Sequence, residues 1–476
     1  MVQNRIYLPK EVKKKQVLIY GAGVAGKLIL EEIRRYQEKN YEVGGFLDDD
    51  KKKIAALVEG VEVLGGLDYL EKTKTEKPAV EEILIAIPSA PAKTIRKIVQ
   101  GCEKVGLDYK ILPGIYDIIT GKRKVSPVRE VKIEDILGRE PVKVSFEKIS
   151  KFLNAKKVLI FGAGGSIGSE MVRQIANFKP KKIILFDQNE SELYDLHMEL
   201  LALGKEEQVL PVMGDIRVFS EVQEVFEKYK PEIVFHAAAY KHVPLMEAFP
   251  AAAVETNVRG VLNILRANDE HPGQSFVFVS TDKAVYPENV MGLTKRIGEL
   301  LTLDREKRNK KTKLCAVRFG NVLGSRGSVV PLFLKQIALG GPVTVTDPKV
   351  ERYFMTIPEA AQLVLQAAAT SQGGEIFMLE MGEKIKIVDL AKEVIRLAGF
   401  EPEKDIEIKF VGLRPGEKLT ETLYKDDEKK VGTEHEKISR VYSTEKEDIE
   451  EFAEELLLIS RQGSREKIIA KLKEIK

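Results

Sequence analysis

The chain has 476 residues, a formal net charge of +3 and 31% charged residues of both signs. That is enough for at least two domains with full cores, and the near-balanced charge argues against bulk nucleic-acid binding. No stretch approaches the roughly 18 apolar residues of a membrane span, and no signal peptide is recognisable.

The basic lead-in Lys10-Glu-Val-Lys13-Lys14-Lys15 reads as a solvated approach to the first strand, or as the juxtamembrane part of a longer protein. Val17-Leu-Ile-Tyr20 is a short apolar run, and Gly21-Ala-Gly23-Val-Ala-Gly26 a glycine turn opening a helix. A second run then ends in Asp48-Asp49-Asp50. Glycines let backbone approach a pyrophosphate, so this segment suggests a nucleotide or UDP-sugar site; with no catalytic constellation after it, a scaffold without a ligand fits equally. This N-terminal Rossmann-like domain is expected over residues 1–120. Cys102 and Cys315, which lack C-x-x-C spacing, read as buried thiols of a reducing compartment. The five histidines show no ligand spacing, so no metal is expected. A polar break at Gly121-Lys-Arg-Lys-Val-Ser-Pro-Val128 marks a linker, drawn over 121–155.

The second unit, 156–476, opens with Val158-Leu-Ile-Phe161, then Gly162-Ala-Gly164-Gly165-Ser166-Ile167-Gly168, then Lys182-Ile-Ile-Leu-Phe-Asp187. Strand, glycine turn, helix start and a second strand ending in an acid form the dinucleotide pattern, in which the acid holds a ribose 2′-hydroxyl. Asp187 would repel a 2′-phosphate, so NAD is expected, not NADP. Strand-like runs alternate with amphipathic segments through both units. The fold class is therefore α/β, with two doubly wound parallel sheets. His236, inside an apolar strand, reads as a core histidine; Lys241 and His242 follow that strand's C-terminal end, where ligands sit in such sheets.

After the strand Val277-Phe-Val-Ser280 come Thr281, Asp282 and Lys283: a hydroxyl, an acid and an amine in a row. They suit acid–base chemistry beside a hydride acceptor. The bland alternatives are a helix cap for Asp282 and a surface ion pair with Lys283. From Asn321 onward the alternation weakens into Gly/Pro-rich loops, expected to form a smaller substrate lobe. Three of its loops carry Arg326, Arg352 and Arg414, whose forks match phosphate oxygens. The last segment, about 446–475, reads as one charged helix whose sparse apolar stripe suits an oligomer contact.

These strings resemble a known family. Gly162-Ala-Gly-Gly-Ser-Ile-Gly-Ser-Glu170, Gly214-Asp-Ile-Arg217, His236-Ala-Ala-Ala-Tyr-Lys-His242, Asn257-Val-Arg-Gly260, Ser280-Thr-Asp-Lys-Ala284, Arg318-Phe-Gly-Asn321, Arg352-Tyr-Phe-Met-Thr356 and Arg414-Pro-Gly-Glu417 are similar to extended short-chain dehydrogenases acting on nucleotide sugars. The resemblance is specifically to the UDP-N-acetylglucosamine 4,6-dehydratases of bacterial polysaccharide synthesis. It covers 156 to about 440, and the N-terminal unit resembles the extra domain of the long members. There that domain follows membrane helices. A cytoplasmic protein is implied, associated with the membrane only through a missing N-terminal segment, and a homo-oligomer is expected.

The resemblance implies that NAD also touches Asp215, Ile216, Ala237, Ala238 and Lys295, and that UDP-sugar touches Lys241, His242, Met291, Asn321, Arg326, Arg352, Arg414 and Glu417. Asp282 would be the acid to the departing 6-hydroxyl, Lys283 the base at carbon 5, and Thr281 the partner of the carbon-4 oxygen. Related dehydratases hold Glu where this chain has Lys283. Short-chain dehydrogenases carry Tyr-x-x-x-Lys where this chain has Met291 and Lys295. A thioether carries no proton, so the base for the first oxidation is unassigned; Tyr240 and Tyr286 are candidates or pocket walls. Met291 implies retention of configuration at carbon 5. A nucleotide-sugar 4-epimerase and a non-catalytic nucleotide-sugar sensor are the alternatives.

Overall fold

The structure is a computed structural model that describes residues 14–37, 41–74, 80–87, 90, 92–111, 129–130, 142, 144–398, 400–426, 428–442 and 449–475. The expected linker string 121–128 and most of the basic lead-in lie outside these residues. The chain divides into two compact units, Met1–Pro141 and Val142–Lys476.

In the first unit the strand Lys15–Tyr20 lies between the parallel strands Tyr41–Leu47 and Glu82–Ile85. Asp108–Ile111 pairs with the latter. Val17, Ile19, Phe46 and Leu84 are fully buried, so the apolar runs pack on a core here as the sequence pattern requires. Asp48 Oδ2 accepts from the amide of Ala22 at 2.9 Å, which closes the glycine turn on itself. Lys53 Nζ caps the same oxygen at 2.8 Å.

The second unit is built on a nine-stranded sheet. Its parallel part runs Val209–Met213, Lys182–Asp187, Lys157–Phe161, Ile233–His236, Ser275–Val279, Lys313–Arg318, Ile376–Leu379. The antiparallel strands Ile438–Tyr442 and Lys429–Gly432 complete it. Val209–Met213, with Pro211 in the middle, is one edge; Lys429–Gly432 is the other. The strand Lys157–Phe161 is apolar at four consecutive positions because helices cover both faces of the sheet.

Three sequence expectations are corrected. The second unit starts at Val142, before residue 156. The helix Phe146–Leu153, capped by Ser145, buries Ile149 and Leu153 in the second unit's core, and the Ser145 amide donates to Gln366 Oε1 at 2.7 Å. The C-terminal segment forms two helices, Ile449–Arg461 and Arg465–Lys473, broken at Gly463, whose φ is +76°. Their apolar residues Phe452, Leu456, Leu457, Ile468 and Leu472 pack into this chain's own core, so that stripe is already covered. Nor does the lobe take everything after Asn321. The strands from Ile376 and Ile438 return to the main sheet. What stays apart is two small sheets, one of Asn321–Val322, Glu351–Met355 and Lys384–Lys386, the other of Val343–Val345 and Ile408–Phe410.

Behind the C-terminal end of the main sheet lies a buried charge network. Arg318 ends its strand with its guanidinium fully enclosed. Nε and Nη2 donate to Glu299 at 2.7 and 2.8 Å, and Nη1 and Nη2 donate to Glu428, both at 2.8 Å. Ser280 and Arg296 also donate to Glu299, at 2.7 and 3.1 Å. Burial pushes the Glu299 carboxyl up, but Arg318 foremost, with Arg296 and Ser280, holds it down at about 2. Without Arg318 two facing carboxylates share only Arg296, 3.1 Å from Glu299 and 3.9 Å from Glu428, and the uncompensated charge is costly to leave buried. Arg318→Met should therefore destabilise the second unit by about 3–5 kcal/mol, read as a lowered urea midpoint at constant slope; a change below about 1 kcal/mol would deny the network its role.

Candidate active site

The strand Lys157–Phe161 ends in Gly162, whose φ of +78° suits glycine and where a Cβ would sit 2.6 Å from the amide nitrogen of Ala238. The helix Ser166–Ile175 starts at Gly165 with no side-chain cap, leaving its first N–H groups free for a phosphate. At Gly168 a Cβ would lie 2.0 Å from the Gly162 carbonyl oxygen, so only glycine lets this helix sit so close to the turn. Asp187 stands beside the turn. Its Oδ2 accepts from Gly164 N at 2.8 Å and its Oδ1 from Asn189 N at 2.9 Å. Gly162, Gly165, Asp187, Asp215, Ile216, Ala237, Ala238 and Tyr240 line one cavity. Ser166 and Ile167 belong to the helix start, not to the cavity wall.

A bare helix start, a cradle that any Cβ would fill and an acid at its rim fit a dinucleotide. The sequence did not single out Gln188, Asn189, Glu192 or Thr256, which line the same cavity. Asn189, two residues past Asp187, was the only one with a local signal.

The strand Ser275–Val279 leads into the row Thr281, Asp282 and Lys283. Ser280 N and Asp282 N donate to the carbonyls of Val317 and Phe319 at 2.8 and 3.0 Å, tying the row to the neighbouring strand end. Thr281, not Asp282, caps the short helical turn Asp282–Ala284. Thr281 Oγ1 donates to Asp282 Oδ1 at 2.9 Å. Lys283 Nζ donates to the same Oδ1 at 3.0 Å and to Asn321 Oδ1 at 3.1 Å. Asp282 is 1% exposed, and its Oδ2 has no hydrogen-bond partner. This is a buried pair rather than a surface one. Glu421, from a distant loop, brings Oε1 within 3.8 Å of Lys283 Nζ.

Met291 and Lys295 lie on the helix Val290–Arg308, started by the Asn289 side chain. Met291 is buried among apolar residues. Lys295 Nζ donates to the Val279 carbonyl at 2.6 Å and lies 3.9 Å from the centre of the Phe278 ring. Burial pushes this amine down to about 7, against the pull of Glu299. His236 is enclosed between Phe161 and Phe278, and burial, then Lys295, hold it neutral. It is a core histidine.

Of the two tyrosines, Tyr240 lines the cavity at the glycine turn, whereas Tyr286 donates its hydroxyl to Asp426 at the surface at 3.0 Å.

The three arginines do not converge. Arg326 joins the cofactor turn, donating to the Gly164 carbonyl at 3.0 Å and pairing with Glu192. Arg352 is buried, with its guanidinium engaged by the carbonyls of Glu351, Lys418 and Leu419 at 2.7–3.0 Å. It holds the loop that carries Glu417, whose carboxylate accepts from Thr346 Oγ1 at 3.1 Å and the Arg414 amide at 3.2 Å. Arg414 itself is exposed. Their separation follows from loop direction, which spacing alone does not encode. Lys241 and His242 do face the lobe. Lys241 Nζ donates to Ser325 Oγ at 3.4 Å, and a Cβ on Gly327 would lie 2.6 Å from the His242 ring. Burial first, then Arg326, lowers the Lys241 amine.

A sheet of this order, a glycine turn on its first strand and a Lys four residues, about one helical turn, after Met291 make the second unit an extended short-chain dehydrogenase. The chain belongs to the polysaccharide biosynthesis protein family, whose model matches residues 158–443. A model described as a CoA-binding domain matches residues 5–113. The chain is 45% identical to the capsular polysaccharide biosynthesis protein CapD of Staphylococcus aureus, over 92% of this chain and 73% of that one. It is 43% identical to the probable polysaccharide biosynthesis protein EpsC of Bacillus subtilis, over 90% and 71%. Among solved structures, Pen from Bacillus thuringiensis is 35% identical with a TM-score of 0.57, covering 61% of this chain and 90% of that one. DesIV, a dTDP-glucose 4,6-dehydratase from Streptomyces venezuelae solved with NAD, shares the fold at 21% identity and a TM-score of 0.50, over 56% of this chain and 88% of that one. Among the described residues no helix is long and apolar enough to cross a membrane.

The Lys295 amine sets a pH dependence. The folded protein releases its proton near pH 7, whereas the unfolded chain holds it to about 10.5. Between those values the unfolded state binds more protons, so stability rises with pH. Wild type should lose stability relative to Lys295→Met as pH falls from about 10 to 7, with the gap constant below that. Urea unfolding of both proteins across this range checks it; a gap that does not change with pH would mean that Lys295 is charged in the fold.

Proposed function

We propose that this nucleotide-sugar-modifying enzyme is an NAD-dependent 4,6-dehydratase of UDP-N-acetylglucosamine, yielding UDP-2-acetamido-2,6-dideoxy-hexos-4-ulose for polysaccharide or glycan synthesis. The observation that carries the reading is the buried Asp282–Lys283 pair at the end of the sheet, with one Asp282 oxygen unpartnered. An enzyme that only oxidised and reduced carbon 4 would have no task for that pair, so dehydration is favoured over epimerisation. The relatives named for polysaccharide biosynthesis support a role in that synthesis.

NAD, when bound, would supply hydride removal from carbon 4 and hydride return to carbon 6. Asp187 and the turn at Gly162–Gly168 would hold it, and Lys295 would serve its nicotinamide ribose. Thr281 Oγ1, which already donates to Asp282, is left to accept from the carbon-4 hydroxyl. The free Asp282 Oδ2 protonates the departing 6-hydroxyl. Lys283 takes the carbon-5 proton and returns it to the same face. Met291 offers no donor on the opposite face, so the product keeps its carbon-5 configuration.

Incubated with UDP-N-acetylglucosamine, the protein should give a product lighter by one water, and extraction of the purified protein should give NAD. An isomer of unchanged mass would make it an epimerase, and no change a sensor.

Asp282→Asn should still oxidise carbon 4 and accumulate reduced nicotinamide. Lys283→Ala should slow deuterium uptake at carbon 5 from heavy water by about 10²- to 10⁴-fold, the usual range for a lost general base. Native exchange in Lys283→Ala would move the base elsewhere.

A further inference from the structure

Lys283 cannot act as a base while it is an ammonium ion, and its nearest neighbour works against it. Asp282 Oδ1 accepts from Nζ at 3.0 Å and occupies one of its protons. Something close by has to hold the proton. Glu421 is the group in place: its side chain is 3% exposed, Oε1 lies 3.8 Å from Lys283 Nζ, and Oε2 is buried with no hydrogen-bond partner. We infer that Glu421 is a positioning residue of the dehydration, taking the proton that Lys283 sheds before Lys283 can act on carbon 5. The inference rests on the dehydratase reading above.

The geometry decides which carboxyl receives the proton of Lys283. Two carboxylates and one ammonium enclosed together carry one net negative charge; the acid proton that Asp282 gives to the 6-hydroxyl makes the cluster neutral and leaves Glu421 as the carboxylate facing Lys283. Asp282 Oδ1 is already engaged, accepting from Thr281 at 2.9 Å and from Lys283 at 3.0 Å. Glu421 has a longer ion pair and a bare oxygen. Burial raises its carboxyl, and Asp282 adds to that; Lys283 foremost, then Arg352 and Lys418, the other charges facing it, oppose without reversing the direction. Glu421 thus returns to this site the carboxyl that the residue row itself lacks, from a loop far along the chain.

The step balances. A proton moves from Lys283 Nζ to a Glu421 oxygen, directly on a small side-chain rotation or through one water, leaving a neutral amine and a carboxylic acid. The amine lone pair takes the carbon-5 proton while the C–H electron pair passes into the substrate's enolate. The same proton returns to carbon 5 when carbon 6 receives hydride. Glu421 then hands its proton back to Lys283, and the pair ends each turnover as it began.

The test follows deuterium uptake at carbon 5 and water loss in wild type, Glu421→Gln and Glu421→Asp from about pH 6.5 to 9.5. In Glu421→Gln, Lys283 can lose its proton only to solvent. Both rates should fall about a hundred-fold at pH 7 and recover about tenfold per pH unit, while carbon-4 oxidation, seen as reduced nicotinamide, persists. Glu421→Asp should lie between. Native exchange at pH 7 in Glu421→Gln would overturn the inference, as would a loss that is the same at every pH, the mark of a merely structural residue. If Glu421→Gln does not retain its cofactor, the slope in Glu421→Asp decides in its place. A wild type that releases no water overturns the dehydratase reading and this inference with it; a wild type that does, beside an unaffected variant, overturns the inference alone.

Discussion

Arg318 is the constraint on which the catalytic end of the second unit depends. Its guanidinium joins the helix Val290–Arg308, through Glu299, to the start of the antiparallel hairpin, through Glu428. Glu299 in turn accepts from Ser280, one residue before the row Thr281, Asp282 and Lys283. Three residues past Arg318 lies Asn321, which accepts from Lys283. One buried cation thus fixes the helix carrying Lys295, the row Thr281–Lys283 and the loop into the substrate lobe. Such a network contributes little net stability against an apolar core of equal volume, since desolvating the ions offsets most of their attraction. What it supplies is register among segments far apart in the chain.

The charges beyond Arg318 follow a different rule. Arg318 and Glu299 are fully matched and stay ionised. Lys295 and Glu421 are buried with incomplete matching, and burial moves each toward its neutral form. The same low-dielectric surroundings therefore hold a rigid ionic frame behind the sheet and proton-labile groups at its end. Perturbed groups of this sort gather where acid–base work is done.

The glycine turn of the candidate site was legible because its signals are local. Gly162, Gly165 and Gly168 lie within seven residues, and Asp187 closes the next strand. Thr281, Asp282 and Lys283 were legible because they are consecutive. Glu421 was not, since nothing in Leu419-Thr-Glu421-Thr says that its loop folds back on Lys283. The arginines failed for a related reason. Arg326, Arg352 and Arg414 share a chemistry, but backbone carbonyls claim Arg352 and the cofactor turn claims Arg326. In the fold, the alternating pattern gave the two parallel sheets. It did not show the late return of Ile376–Leu379 and Ile438–Tyr442 to the main sheet, because short apolar runs carry no mark of the strand they will join.

The two edges of the nine-stranded sheet have a bearing on how copies of this protein can meet. An open edge offers unpaired amides and carbonyls to any passing strand. At one edge Pro211 lacks the amide that a new neighbour would need. At the other, the exposed strand Lys429–Gly432 begins with two lysines, so a second copy approaching in register would set ammonium against ammonium. Both flanks of the sheet thus discourage fibre-like growth by strand addition, and self-association of this unit is left to its helical and loop surfaces.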